Sequence, residues 1–210
     1  MDQGLEDFHT EATPTPSNEG DEEPSKSSGF WHFLKDLLET LVLAGLLFLA
    51  INAVSARIRV DGSSMVPTLN DGQFVMVNRL IYKYSDPNHG DVVVFHYPRD
   101  PDQEYIKRII GLPGDTVMIR NGQTYLNGQQ VDEPYIAAST NTTGEWKVPG
   151  DHLFVLGDNR NNSQDSRNFG FVSMENIIGK AIFIYWPPTD WSLIFNPDYD
   201  APSANSNSYP

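Results

Sequence analysis

Residues Thr116–Gly128 read TVMIRNGQTYLNG. Two short runs, Thr116–Arg120 and Gln123–Leu126, flank Asn121-Gly122, and Asn127-Gly128 follows the second. Asn-Gly readily adopts the positive φ angles of a tight hairpin turn, so the stretch predicts consecutive antiparallel strands. The same pattern extends both ways. Runs at Phe74–Val77, Asp91–Tyr97 and Tyr105–Leu112 precede it, the last closed by the turn Pro113-Gly114-Asp115. His152–Leu156 and Ile177–Trp186 follow. No long amphipathic helix interrupts them. Residues 57–198 therefore read as a mostly β domain, with about 140 residues available to close a barrel or sandwich.

Upstream the pattern changes. Leu37–Val54 reads LLETLVLAGLLFLAINAV, with Glu39 as its one charge. Eighteen helical residues rise about 27 Å, close to the ~30 Å hydrocarbon core of a bilayer. Trp31 and Phe33 suit one interface, and Arg57 and Arg59 the other. A membrane anchor over residues 30–56 fits best. A cleaved signal peptide draws support from the small-x-small triplet Ala53-Val54-Ser55, but it wants a short basic leader, and an acidic one comes first. A core helix of a small domain would carry a polar face, and none is visible. Charge does not orient the span, because Lys26 and Lys35 precede it while Arg57 and Arg59 follow.

The chain has 210 residues and a formal charge of −14, from 14 Lys+Arg against 28 Asp+Glu. Residues 1–29 hold eight of the acids and one base, Lys26, a net of −7; the rest holds 20 acids and 13 bases, also −7. That leader has too few large apolar groups to offset its ordering entropy and reads as a disordered acidic tail. Residues 199–210, YDAPSANSNSYP, read as a flexible C-terminal tail. The acidic balance excludes the basic footprint of a nucleic-acid binder. Negative mean hydropathy excludes a multi-spanning protein but not a single span. The absence of cysteine excludes disulfides, thiolate metal sites and a Cys nucleophile.

Familiar catalytic motifs are missing. Gly62-Ser63-Ser64-Met65-Val66 lacks the second Gly of a nucleophile elbow and sits in no βαβ pattern. His89, His96 and His152 show no metal-ligand spacing and read as surface or loop histidines. No phosphate-binding or dinucleotide loop occurs. Three segments remain. Asp61–Leu69 places serines on a turn just after the span; Pro67 restricts its own φ and biases Val66 toward extended geometry. By itself this is a plain turn or a presented nucleophile. Glu104–Gly111 alternates, if extended, Tyr105, Lys107 and Ile109 against Ile106, Arg108 and Ile110. With both faces largely apolar, one cation faces a non-polar environment, and a buried lysine must be paired or lose its proton. Bringing Lys from ~10.4 to ~7 takes about 4.6 kcal/mol, and a neutral lysine can activate a serine without histidine. The alternative is a snorkelling edge-strand lysine. Gly157–Val172 is dense in turn residues, and Asp158, Arg160, Asp165 and Arg167 could form carboxylate–guanidinium bridges bracing a loop.

These segments, in this order after one apolar span, resemble the type I signal peptidases, Ser/Lys-dyad serine proteases. Ser64–Leu69 matches the family's S-M-x-P-T-L box, and Lys107–Asp115 its K-R-(I/V)-I-G-L-P-G-D box. Gly157–Val172 matches G-D-N-R-x-x-S-x-D-S-R-x-x-G-x-V, and Gly90–Phe95 matches G-D-(I/V)-V-V-F. The resemblance covers roughly Phe33 to Trp186. It implies Ser64 as nucleophile, its N–H as an oxyanion donor, and Lys107 as general base. It implies Ser163 as the serine that orients the lysine, Asp165 as a supporting acid bridged to Arg167, Asp158 and Arg160 as structural, and Met65 beside the substrate groove.

It further implies an antiparallel β catalytic domain with an apolar surface against the bilayer, and a fold shared with self-cleaving repressors. The implied partners are the lipid bilayer and preproteins whose signal peptides end in small residues at the first and third positions before the cut. No cofactor, metal or nucleic acid is implied. The implied location is the plasma (inner) membrane, single-pass, with the catalytic domain extracytoplasmic and the acidic tail cytoplasmic. Two departures stand out. Gly62 occupies the position where some members carry a serine that donates to the oxyanion, so a backbone amide, water or Ser63 is left for that role. Residues 131–150 are too few for the large β insertion of some members, so this is a compact form. The rival readings are another Ser/Lys peptidase and an inactive membrane-anchored β module.

Overall fold

The computed structural model describes residues 26–197 and residue 199. The chain divides into two units between Leu46 and Leu47. The first unit holds most of helix α1, which runs Lys26–Val54. Within it, Gly29–Val54 is long and apolar enough to cross a membrane, and none of its most apolar 18-residue window is buried. Its side chains are therefore not core, which removes the core-helix reading. The helix begins at Lys26, inside the segment expected to be a disordered tail; residues 1–25 lie outside the described residues.

The second unit is built almost entirely of antiparallel strands. They are β1 Ser55–Arg59, β2 Phe74–Asn78, β3 Val92–Tyr97, β4 Asp100–Gly111, β5 Thr116–Arg120 and β6 Gln123–Leu126. Then come β7 Gln129–Gln130, β8 Gly144–Lys147, β9 His152–Leu156, β10 Val172–Ser173, β11 Ile177–Trp186 and β12 Ser192–Leu193. Two short helices, α2 Ile81–Tyr84 and α3 Ser166–Phe169, lie in connections. One sheet has the order β1-β2-β11-β3-β4-β9-β10, with β12 added on β11; the other has the order β7-β6-β5-β8. The Asn-Gly hairpin is as expected: Asn121 and Gly122 have φ of 54° and 78°, and Arg120 pairs with Gln123.

Burial follows strand position. In β2, Val75 and Val77 point into the core while Phe74, Met76 and Asn78 are half-buried, as on a one-sided strand. In β3, Val92 through Phe95 are all fully buried, because this strand lies between β11 and β4 and is covered on both faces. Each residue fully buried in this way contributes about 1.5–3 kcal/mol of transfer free energy. The apolar residues of β2, β3 and β11 form one cluster, those of β3, β4 and β9 a second, and those of the smaller sheet with Ile110 and Phe154 a third. β4 contributes to all three, with Ile106 packed against the first, Ile109 in the second and Ile110 in the third. That central position is what lets one strand hold reactive groups rigidly.

Candidate active site

Ser64 sits on the turn between β1 and β2. Met65 and Leu69 point inward and are fully buried, and the Leu69 N–H bonds the Met65 carbonyl (2.9 Å), so the turn is pinned from below. Met65 is thus a core residue here and does not line the groove that the resemblance places beside it, because its side chain packs under the turn. Gly62 has φ +90°, a conformation glycine adopts without Cβ strain, and its N–H donates to Asp71 Oδ1 (2.7 Å). The Ser64 N–H makes no hydrogen bond among the described residues. Ser63 Oγ accepts from Asn162 Nδ2 (2.9 Å) and keeps its own proton.

Lys107 lies mid-β4, opposite Val93 of β3. Arg108 pairs with Leu156, the last residue of β9, so the antiparallel register sets Lys107 beside Gly157, where the long loop begins. Lys107 Nζ is 2.8 Å from Ser64 Oγ and donates to the Ile106 carbonyl (2.8 Å). The side chain is almost wholly buried, and burial pulls its pKa down to about 8; the Asp165 and Asp158 carboxylates oppose this and keep the drop modest. The Tyr105 ring stands 5.2 Å from Nζ. A buried amine that titrates near pH 8 beside a serine hydroxyl can accept that proton.

Both neighbouring cations are buried, not one. Arg108 is fully buried, and its guanidinium pairs with Asp158 (2.7 Å). Burial alone would lower its pKa, but the bonds and charge of Asp158 outweigh that and raise it. The loop's four charged residues therefore pair differently from a closed set of their own. Asp165 does bind Arg167 (2.7 Å), but Asp158 goes to Arg108 and Arg160 goes to Glu133 (2.5 Å). Asp165 also accepts the Gly157 N–H (3.1 Å) and caps α3 in a capping box with Asn168. The loop grips the serine turn directly: Asn159 N–H donates to the Ser64 carbonyl (3.0 Å), Asn159 Nδ2 to the Ser63 carbonyl (3.0 Å), and Thr68 Oγ1 to Asp158.

Ser163 is close to the pair but does not bond the lysine. Its hydroxyl is buried without a hydrogen-bond partner, beside Gly157, where an added Cβ would meet both Ser163 and the Ser64 carbonyl. His89 pairs with Asp115 (2.6 Å), and His96 and His152 bond backbone carbonyls, so none stands at the Ser64–Lys107 pair. Among the described residues no group of three or more His, Asp or Glu could hold a metal. Thr68 and Asn159 stand at fixed positions of the serine and loop boxes, though the sequence assigned them no role; Glu133 and Tyr135 lie outside every box, and no linear spacing announces them.

A groove of ≈ 430 Å³ opens on Ser64 and Lys107, with apolar walls from Ile58, Val94 and Ile106 and polar rim groups from Glu104, Tyr105 and Gln164. Comparison with known proteins is consistent along most of the chain. Residues 33–186 match the model of the family described as signal peptidase, peptidase S26. A probable signal peptidase I-1 of Synechocystis sp. is 39% identical over 78% of this chain and 88% of its own length. Signal peptidase I of Bacillus amyloliquefaciens is 41% identical over 79% and 93%, and signal peptidase I S of Bacillus subtilis is 40% identical over 79% and 94%. The fold and these likenesses define a β-rich serine peptidase, a hydrolase. The chain belongs to the signal peptidase family, peptidase S26.

Proposed function

We propose that the protein is a membrane-anchored endopeptidase that removes N-terminal signal peptides from exported preproteins by a Ser64/Lys107 dyad. The observation that carries the reading is a lysine amine 2.8 Å from a serine hydroxyl inside a protein interior that disfavours its charge. The names of its relatives support the substrate class. The apolar walls at Ile58, Val94 and Ile106 suit small apolar side chains at the first and third positions before the cut, the preference that the family resemblance implies.

In the first step Ser64 Oγ bonds the scissile carbonyl carbon while Lys107 Nζ takes the hydroxyl proton. The Ser64 N–H, which has no other partner among the described residues, donates to the developing oxyanion. Collapse breaks the C–N bond, Lys107 gives its proton to the leaving amine, and the mature protein departs. Lys107 then deprotonates a water that attacks the acyl ester, and Oγ recovers the proton. Asp165 with Arg167, Asp158 with Arg108, and Arg160 with Glu133 hold the loop and turn in register, and Ser163 packs beside Gly157, where that loop begins. In the cell the proposed arrangement is a single span in the plasma (inner) membrane. The residues from 57 onward are extracytoplasmic, and the acidic leader is cytoplasmic.

The test is cleavage of a model preprotein by the wild type, Ser64→Ala, Lys107→Ala and Lys107→Arg, with the cut site read by mass spectrometry. All three variants are expected to be folded and inactive, since a guanidinium is not a base near neutrality. Wild-type kcat/KM is expected to fall about tenfold per unit as pH drops below the lysine's pKa. A flat profile down to pH 5, or cleavage by Lys107→Ala at the wild-type rate, refutes the dyad.

A further inference from the structure

Arg108, the residue after Lys107, is completely enclosed. A guanidinium offers five N–H donors in a rigid fork and keeps its charge at any ordinary pH. All five meet acceptors. Nε bonds Asp158 Oδ1 (2.9 Å), and Nη2 bonds Asp158 Oδ2 (2.7 Å) and Thr68 Oγ1 (3.4 Å). Nη1 bonds the carbonyls of Gly90 (2.8 Å) and Phe195 (2.8 Å). The first acceptors belong to the long loop and to the turn of Ser64. The last belongs to the segment after β12, which has no part in the matched family region ending at residue 186.

That segment touches the guanidinium at the Phe195 carbonyl and holds its surroundings at several points. The Ile194 side chain is buried in the core and its N–H bonds the Ile182 carbonyl (3.1 Å). The Asn196 amide, in the orientation that satisfies both its ends, donates to the Gly90 carbonyl (3.2 Å) and accepts from Lys180 Nζ (3.0 Å). Pro197 closes over Gly90, leaving no room for a side chain there. The Tyr199 hydroxyl bonds that of Tyr135, whose ring lies 4.1 Å from Arg108 Cζ. Tyr199, expected from sequence to begin a free tail, is instead packed against the smaller-sheet core.

We propose that Phe195–Pro197, together with Tyr199, is a positioning strap: it completes the coordination of Arg108 and thereby fixes Lys107 against Ser64. The proposal rests on the reading of Lys107 as the base. Its physical ground is that a buried guanidinium N–H without an acceptor is costly, so a displaced strap makes Arg108 draw in water or turn. Either response loosens Asp158 and Thr68, which hold the loop and the serine turn, and admits water toward the lysine. The groups facing Lys107 are Ser64 and the Tyr105 ring, with Asp165 and Asp158 acting from further off. Better hydration of the ammonium raises its pKa, so the acid limb of activity moves to higher pH.

The experiment uses the full chain in detergent with a peptide substrate bearing an Ala-x-Ala site, measuring kcat, KM, the pH profile and thermal unfolding. Tyr199→Ala is expected to lower kcat about tenfold with little change in KM, a loss of the size that small misplacement of reacting groups produces. Its acid limb should move upward by a readable fraction of a pH unit. Tyr199→Phe, which keeps the ring, should recover most of both, and a chain ending after Asn196 should show the larger defect. Tyr199→Ala with a wild-type kcat and acid limb overturns the proposal, even if its melting temperature falls. Lys107→Ala is run alongside: if it still cleaves, the base assignment fails rather than the strap.

Discussion

Lys107 and Arg108 are adjacent and both buried; burial pulls both pKa values down, but at Arg108 the bonds and charge of Asp158 reverse the shift. Arg108 meets five acceptors, two of them on a carboxylate, and stays charged. Lys107 meets only a neutral hydroxyl and a carbonyl, and the nearby carboxylates already belong to arginines. Its folded pKa of about 8 lies below the ordinary 10.5, so folding disfavours the protonated form. The linkage sign is therefore a stability cost present in full below pH 8 and relieved as pH rises from about 8 to 10.5. The cost is about 3 kcal/mol at 1.36 kcal/mol per unit. Lys107→Met, which keeps the volume, is expected to be inactive yet more stable at pH 7, by about 1–3 kcal/mol. The gain should vanish above about pH 10. Thermal unfolding at the two pH values checks this, and an equal gain at both would mean that packing, not charge, is responsible.

At the scale of elements, the site is the meeting of one strand, one turn and one loop. β9 ends opposite Arg108, so the loop starts beside Lys107 with no spacer, and the first loop residue is Gly157. Its backbone is not in the left-handed region; what it lacks is space, because a Cβ would collide with Ser163 and with the carbonyl of Ser64. Gly157→Ala is expected to cost about 1–3 kcal/mol of stability through overpacking. It should also lower kcat about 100-fold by pushing the serine turn off the lysine. Comparison of its kcat and melting temperature with wild type tests both. A normal kcat would show that the turn can yield without losing alignment. The motif G-D-N-R marks this glycine in the sequence, but nothing there says that Ser64 is what it must leave room for.

At the scale of the whole molecule, the connection between β7 and β8 of the smaller sheet supplies the segment 131–135, whose Glu133 and Tyr135 meet Arg160 of the loop. The site thus depends on both sheets. Because the chain has no cysteine, its proposed topology can be tested with single introduced thiols. Gln129→Cys, on the exposed edge strand β7, is expected to react with a membrane-impermeant maleimide in cells with an opened outer surface and an intact inner membrane. Ser17→Cys should react only after lysis. The full chain should also remain in the pellet after alkaline carbonate extraction. Labelling of Ser17→Cys in intact cells would reverse the proposed orientation, and release by carbonate would count against a span.

The sequence alone determined the period and punctuation of this chain: strands between Asn-Gly and Pro-Gly turns, an apolar run of membrane length, and boxes that bring serine, lysine and a polar loop into one family pattern. These are local properties, because strand alternation, turn conformation and hydropathy depend on residues within a few positions of one another. Pairing across the fold was not legible. Arg108 finds Asp158, Arg160 finds Glu133, and Phe195 closes on Arg108 across separations that carry no periodic signal. Only the tertiary structure could assign these acceptors, because a buried charge takes whichever partner the packing of strands delivers to it. For the same reason Met65, which lies next to Ser64 in the chain, turned into the core, while Tyr199 became part of the support around Arg108.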